Sequence, residues 1–97
     1  MEQIERIMHM EKMMDQSTAA VASLSQALEE YGACLEQLKE LEAYYEGLEW
    51  RQDYEDDCAG RLPKDLKRGV LSQDGVYDLM EEWREVQKEL QKLGAEQ

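Results

Sequence analysis

The chain of 97 residues contains no phenylalanine, one proline, one histidine and two cysteines. His9 could take part in a zinc site only if Cys34 and Cys58 converged on it, and the cysteines have no C-x-x-C spacing. We therefore expect no metal and no cofactor, and we expect both cysteines to be reduced and buried. No apolar run is long enough to span a bilayer and no apolar leader opens the sequence, so we expect a cytoplasmic protein that binds no membrane.

Basic side chains are also scarce. The sequence has 23 acidic residues against 11 Lys and Arg, which gives a formal net charge of −12 at pH 7. The acidic excess is present in both halves, so we expect no nucleic-acid partner, because no basic face is large enough to follow a phosphate backbone. Such an excess is typical of a well-solvated surface, or of a protein whose partner is basic.

Apolar residues recur every seven positions along the first half of the chain, where proline is absent. Two files of this repeat lie three residues apart, as do the a and d positions of a coiled-coil helix. The a file consists of Ile7, Met14, Val21, Leu28 and Leu35. The d file consists of Met10, Ser17, Leu24, Tyr31, Leu38 and Tyr45. Because the register is unbroken across Gly32, we predict one long helix, with a hinge at Gly32 as the alternative.

Shorter helical segments are predicted in the second half. Trp50, Tyr54 and Cys58 are four residues apart, which places them on one face of a short helix that stops at Gly60. Pro63 is suited to open a brief helical turn.

Gly69 is suited to close that turn, and the last helix follows it. Ser72 is its predicted N-cap, and Leu71 and Val76 take the two positions of a hydrophobic staple. The last helix is about half as long as the first, so it covers only part of the first stripe and leaves the methionine-rich turns uncovered.

The fold predicted from these patterns is all-α. It is a single helical domain, 1–97, with a long N-terminal helix at 3–47 and short helical turns and loops over 49–71. A C-terminal helix at 72–94 packs back antiparallel, as a helical hairpin or bundle that a homodimer completes.

Three segments carry a resemblance to a known family. They are EWRQDYE at 49–55, GRLP at 60–63 and LKRGVLSQDGVYDL at 66–79. Together with the first seven residues and the pair Tyr44-Tyr45, they resemble a family of small acidic bacterial proteins known as domain of unknown function 4298. The resemblance implies a bacterial, intracellular and mostly helical protein, and it brings no activity, cofactor or catalytic residue.

The acidic residues raise two metal hypotheses. Asp53–Asp57 fails as an EF-hand loop, which needs glycine where Cys58 stands and glutamate where Lys64 stands. Glu82 and Glu85 form an E-x-x-E pair of the kind that binds magnesium in some all-helical nucleotide pyrophosphohydrolases. They flank Trp83 and point away from the apolar stripe, which indicates an outer helix face.

The best interpretation of the sequence is a non-enzymatic helical module for protein–protein interaction, with an acidic decoy for a basic partner as a specific variant. The alternative is a small magnesium-dependent nucleotide hydrolase that uses helix carboxylates. The candidate partner-binding residues are flexible thioethers, two aromatic side chains and a basic cluster. For the aromatic pair we favour a role as anchors that pack the connection onto the helices, and for the basic cluster we favour neutralisation of Asp53–Asp57. These candidates are Met10, Met14, Trp50, Tyr54, Arg61, Lys64, Lys67 and Arg68.

Overall fold

The computed structural model describes residues 2–95. Helix α1 spans Gln3–Glu46, helix α2 spans Leu48–Cys58, a one-turn 3₁₀ helix spans Gly69–Leu71, and helix α3 spans Gly75–Ala95. Within residues 2–95 there is no strand. The predicted all-α architecture is confirmed, with a long first helix, a short helical connection and a C-terminal helix that packs back.

The chain divides into two compact units, one up to Glu36 and one from Gln37 onward. The first unit is the N-terminal part of α1, residues 3–36, which we call the arm. Helix α1 runs through Gly32 without interruption, so the continuous helix is observed and the hinge alternative is not. Every residue of the arm is exposed or half-buried, because the arm is a single helix within its own unit.

The second unit forms its core where the chain enters α3. Among the described residues the buried side chains are Leu71, Val76 and Met80, with exposed fractions of 5%, 4% and 9%. Leu71 ends the 3₁₀ helix and Val76 lies in the first turn of α3, so both predicted staple positions are in the core. A core of this size gives a small stability margin, so single contacts around it matter.

Helix α3 begins at Gly75, three residues later than the predicted N-cap at Ser72. The Ser72 hydroxyl oxygen nevertheless accepts a hydrogen bond from the Gly75 backbone N–H at 3.0 Å. An N-cap serine makes this bond to the third residue that follows it. The Ser72 hydroxyl also donates to the Gly69 carbonyl oxygen at 2.8 Å, so one side chain joins the 3₁₀ helix to the start of α3.

Gly75 is required by this close approach. A Cβ atom at this position would lie 2.6 Å from the Gly69 carbonyl oxygen and 2.6 Å from the Ser72 hydroxyl oxygen. Neither atom can move away without loss of the hydrogen bond between them. The sequence shows a glycine in the first turn of a helix and gives no sign of this contact.

Replacing Ser72 with alanine is expected to lower the free energy of unfolding by about 1 kcal/mol, because the Gly75 N–H loses its acceptor. Urea titration followed by circular dichroism measures this change. Ser72→Thr keeps the hydroxyl and serves as the matched control, with a midpoint close to that of the wild type. An alanine variant with an unchanged midpoint would mean that another group starts the helix.

Helix α2 stops as predicted at Gly60, which adopts a φ of +73°. The Gly60 N–H donates to the Asp57 carbonyl oxygen, and the Arg61 N–H donates to the Asp56 carbonyl oxygen. These two bonds form a Schellman motif, which needs a left-handed residue at this place.

The turn after Gly60 is shorter than predicted. It begins at Pro63, whose carbonyl oxygen accepts from the Leu66 N–H at 3.2 Å. Gly69 was predicted to close this turn. It starts the 3₁₀ helix instead.

The prediction that both cysteines are buried is wrong, because Cys34 and Cys58 are exposed. Cys34 lies on the arm. Cys58 is the last residue of α2, where the chain turns away at Gly60. Helical spacing assigned Cys58 to the same face as Tyr54, but that face is not covered in the last turn.

Candidate functional site

Trp50 lies at the centre of the second unit's aromatic contacts. Its ring meets Tyr45 edge to face, with centroids 5.0 Å apart and an interplanar angle of 71°. It stacks on Tyr54 with centroids 5.1 Å apart and an angle of 14°. Its Nε1–H donates to the Val70 carbonyl oxygen at 2.9 Å. Trp50 therefore joins the end of α1, helix α2 and the 3₁₀ helix, and aromatic contacts of this geometry add stability beyond their buried area.

Tyr54 also binds within the chain. Its hydroxyl oxygen accepts a hydrogen bond from Gln73 Nε2 at 3.0 Å, which connects α2 to the segment before α3. Trp50 and Tyr54 are half-buried. Of the two roles that the sequence left open for them, partner binding and anchoring, their contacts are those of anchors.

The basic cluster divides into two kinds of residue. The Arg61 guanidinium lies 3.0 Å from an Asp56 carboxylate oxygen, and the Arg68 guanidinium lies 2.5 Å from an Asp57 carboxylate oxygen. These arginines neutralise the acidic run, which is the structural alternative for the cluster. Lys64 and Lys67 are exposed, and they make no ion pair with the residues described. Both pairs remain partly open to solvent, and such pairs contribute little to stability.

Tyr44 is a side chain of the second unit whose pKa is clearly shifted. Its hydroxyl donates to an Asp53 carboxylate oxygen at 2.6 Å. Partial burial first, and then the hydrogen bond and the negative charge of Asp53, raise the pKa of Tyr44 to about 12. All three effects favour the neutral phenol, because ionisation would place a partly buried phenolate beside a carboxylate.

We expect a pH dependence from Tyr44. The folded chain binds the phenolic proton more tightly than the unfolded chain, whose tyrosine pKa is 10.0. This stabilisation is complete below pH 10 and is lost as the pH rises toward 12. Urea titrations at pH 9 and pH 11 should show a larger loss of stability in the wild type than in Tyr44→Phe. Equal losses in the two proteins would contradict the assignment.

The carboxylates of α3 lie on its outer surface. Glu81 pairs with Arg84, Glu85 pairs with Lys88 at 3.3 Å, and Glu82 is exposed. Both pairs join residues three apart on one helix, an arrangement of solvated helix faces. Within residues 2–95 no three His, Cys, Asp or Glu side chains are grouped as metal ligands. His9 is exposed on the arm.

The arm carries an extended surface of exposed apolar side chains. Six of its a and d side chains are large, apolar and exposed, with exposed fractions from 44% at Leu28 to 68% at Val21. The predicted uncovered turns are thus observed, and the uncovered stripe continues for about three heptads along the helix, from Ile7 to Leu28. We call this surface the apolar face. It consists of Ile7, Met10, Met14, Val21, Leu24 and Leu28.

A shallow groove runs along this face. Its first four lining residues are Met14, Ser17, Thr18 and Val21, and it continues past Ala22 to Ser25. Four residues at i, i+3, i+4 and i+7 form the hole that receives one side chain of a partner helix in knobs-into-holes packing. The groove therefore has the residue spacing of such a hole.

Charge is nearly absent along the same stretch. From Met13 to Leu28 the single charged residue is Asp15, in a chain that is 35% charged. The sequence carries this signal, but it appears only when charge is counted in short windows, because totals over each half conceal it. Four of the six side chains of the apolar face, those from Met14 to Leu28, therefore lie where a partner meets little charge to desolvate.

These features define a class of protein, a small all-α chain with an exposed helical face at heptad spacing. Within residues 2–95 no helix combines the length and the hydropathy of a membrane span. The chain matches the family model described as Domain of unknown function (DUF4298) over residues 7–93, and it belongs to this family. No match was found among curated proteins or among solved structures.

Proposed function

We propose that this protein is a non-enzymatic interaction module that binds another helix on the apolar face of its arm. The observation that supports this proposal is the exposure of six large apolar side chains at heptad spacing. Contiguous apolar surface of this kind marks interaction sites, since monomers rarely leave it open to water. A helix binds another helix through apolar side chains that are spaced one and two helical turns apart.

The second unit supports this assignment by its internal contacts. Trp50, Tyr54, Arg61 and Arg68 were candidates for partner binding, and each makes a hydrogen bond, ring contact or ion pair within the chain. Met10 and Met14 are exposed on the arm. Of the candidates, the two methionines and the exposed Lys64 and Lys67 are therefore available for a partner, and the methionines are the apolar ones, on the arm.

The charge distribution indicates the chemistry of that partner. An acidic decoy would present its carboxylates on the binding surface, whereas the apolar face has Asp15 as its single nearby charge between Met13 and Leu28. A neutral, apolar surface matches a helix that carries its own apolar stripe. The surrounding acidic excess then keeps the free protein apart from other acidic surfaces.

The test is affinity capture after cross-linking in cells that make the protein, with wild type and two variants. Met14→Glu places a carboxylate on the apolar face. Ala19→Glu adds the same charge on the opposite side of the helix and is the matched control. The proposal expects cross-linked proteins, including the chain itself, to be lost with Met14→Glu and retained with Ala19→Glu. Identical recoveries would reject it, and magnesium-dependent phosphate release that Glu82→Gln abolishes would support the hydrolase alternative instead.

A further inference from the structure

We infer that the partner on the apolar face is a second copy of this chain, paired antiparallel about a two-fold axis that crosses α1 at the level of residue 19. This inference rests on the proposed function and names its partner. It is supported by the residue layers that such a pair forms, by the side chains at its edges, and by the charge of the units that the arms carry.

In the proposed pair, a layer consists of one side chain from each copy, facing each other across the interface. The layers match large side chains with apolar or small ones. In antiparallel helices an a position of one copy faces a d position of the other. With the axis at residue 19, every member of the apolar face meets a side chain of the second copy. The layers, each occurring twice about the axis, are Ile7 with Tyr31, Met14 with Leu24, Val21 with Ser17, and Leu28 with Met10.

The edges of the pair are small and nearly neutral. On one side Ala20 faces Ala20 of the second copy, and Met13 faces Ala27. On the other side Thr18 faces Thr18 of the second copy. No two like charges oppose each other along the described arm, whose edge positions hold Arg6 and Glu11 as their charged residues. Small edge residues allow the two helices to approach closely, so the large side chains can reach the grooves.

In this register the two copies contact each other through their arms alone. The overlap runs from about residue 3 to residue 35 of each copy, which is the extent of the first unit. If the axis moved a half-heptad toward the C-terminus, Ile7 would face Leu38, which belongs to the second unit, so the overlap would extend beyond the arm. If it moved the same distance the other way, Leu28 would face Gln3 and lose its apolar neighbour.

Electrostatics select the antiparallel orientation. The second unit, from Gln37 onward, has 16 acidic and nine basic residues. A parallel pair would start both of these units at the same end. In the antiparallel pair the two Gln37 residues lie at opposite ends, about 50 Å apart at the helical rise per residue. Repulsion over that distance is screened, because the Debye length is about 8 Å at 0.15 M salt.

One contact favours the parallel orientation. There Arg6 would face Glu11 of the second copy at the edge of the pair. Exposed pairs of this kind contribute little, so this contact does not offset the juxtaposition of two acidic units.

Cys34 offers a direct test, since it is exposed on the arm. A nitroxide label on Cys34, in a Cys58→Ser chain, measures the distance between two copies by double electron–electron resonance. A second variant, Gln26→Cys with Cys34→Ser and Cys58→Ser, moves the label eight residues toward the axis. Antiparallel pairing predicts separations along the helix of about 45 Å for Cys34 and about 20 Å for position 26.

The change between the two labels decides the result, because it is independent of label length. Antiparallel pairing changes the component of the distance along the helix by about 3 Å per residue, twice the helical rise, whereas in a parallel pair this component is zero at both positions. Equal distances at both positions would mean a parallel pair and overturn the inference. Absence of any dipolar interaction at concentrations up to the solubility limit would reject the second copy as partner. In that case the proposed function is still judged separately by the capture of other proteins with Met14→Glu and Ala19→Glu.

Discussion

Trp50→Ala is expected to lower the free energy of unfolding of the second unit by about 3 kcal/mol, within the range for loss of a large aromatic side chain. The substitution removes the stacking on Tyr54 and the edge contact with Tyr45. It also leaves the Val70 carbonyl oxygen without its donor. A unit of this size has a total stability of only about 3–9 kcal/mol, so the variant should be partly unfolded in water.

The measurement uses the chain's second tryptophan. Trp83 becomes the single tryptophan of the variant, so its fluorescence reports on α3 during urea titration. Trp50→Phe separates the contributions, since it keeps an aromatic ring and removes the N–H, and it should cost about 1 kcal/mol. Tyr77→Ala, at an exposed position of α3, should cost far less. A Trp50→Ala variant as stable as Tyr77→Ala would show that the aromatic contacts do not hold the second unit together.

Met14→Glu is expected to weaken self-association at least about 100-fold. The substitution places two carboxylates in the interface, one from each copy and each facing Leu24 of the other, and burying an unpaired charge costs several kcal/mol. A loss of 2.8 kcal/mol already corresponds to about a factor of 100 in the dissociation constant. Sedimentation equilibrium over a range of protein concentrations measures the effect.

Two comparisons test whether the effect of Met14→Glu arises at the proposed interface. Ala19→Glu adds the same charge on the opposite face of the helix and should dimerise like the wild type. Higher salt should tighten the wild-type dimer, because each subunit carries a formal charge of −12 and screening reduces their repulsion. A wild-type chain that stays monomeric at high concentration in both low and high salt would contradict the dimer.

Local patterns predicted the fold where the cause is local. The continuous α1 and the stop at Gly60 are observed where they were predicted, and the predicted staple residues Leu71 and Val76 are buried. Helical hydrogen bonds join residues four apart, and cap and turn geometry depends on a few adjacent residues, so a short window of sequence contains the information. The exposure of the arm also followed from comparing the lengths of two helices.

Predictions failed where the cause is a contact between successive segments of the chain or the position of a helix end. Gly75 was missed because its neighbour is the Gly69 carbonyl oxygen, and no pattern of residue types reveals that contact. The cysteines were predicted buried from their chemical type, whereas burial depends on what covers a given turn. The pairing of Tyr44 with Asp53 joins α1 to α2 across the turn at Gly47, and it went unpredicted for the same reason.

The candidate site shows the same division. The sequence by itself determined that α1 carries a heptad stripe and that Met10 and Met14 lie on it, because periodicity and side-chain type are properties of the chain. Only the tertiary structure decided which candidates remain available to a partner. It placed Trp50 against Val70, paired Arg61 with Asp56 and Arg68 with Asp57, and left the apolar face open. Availability depends on which groups meet in space, and that is set by the packing of the whole second unit rather than by any segment of its sequence.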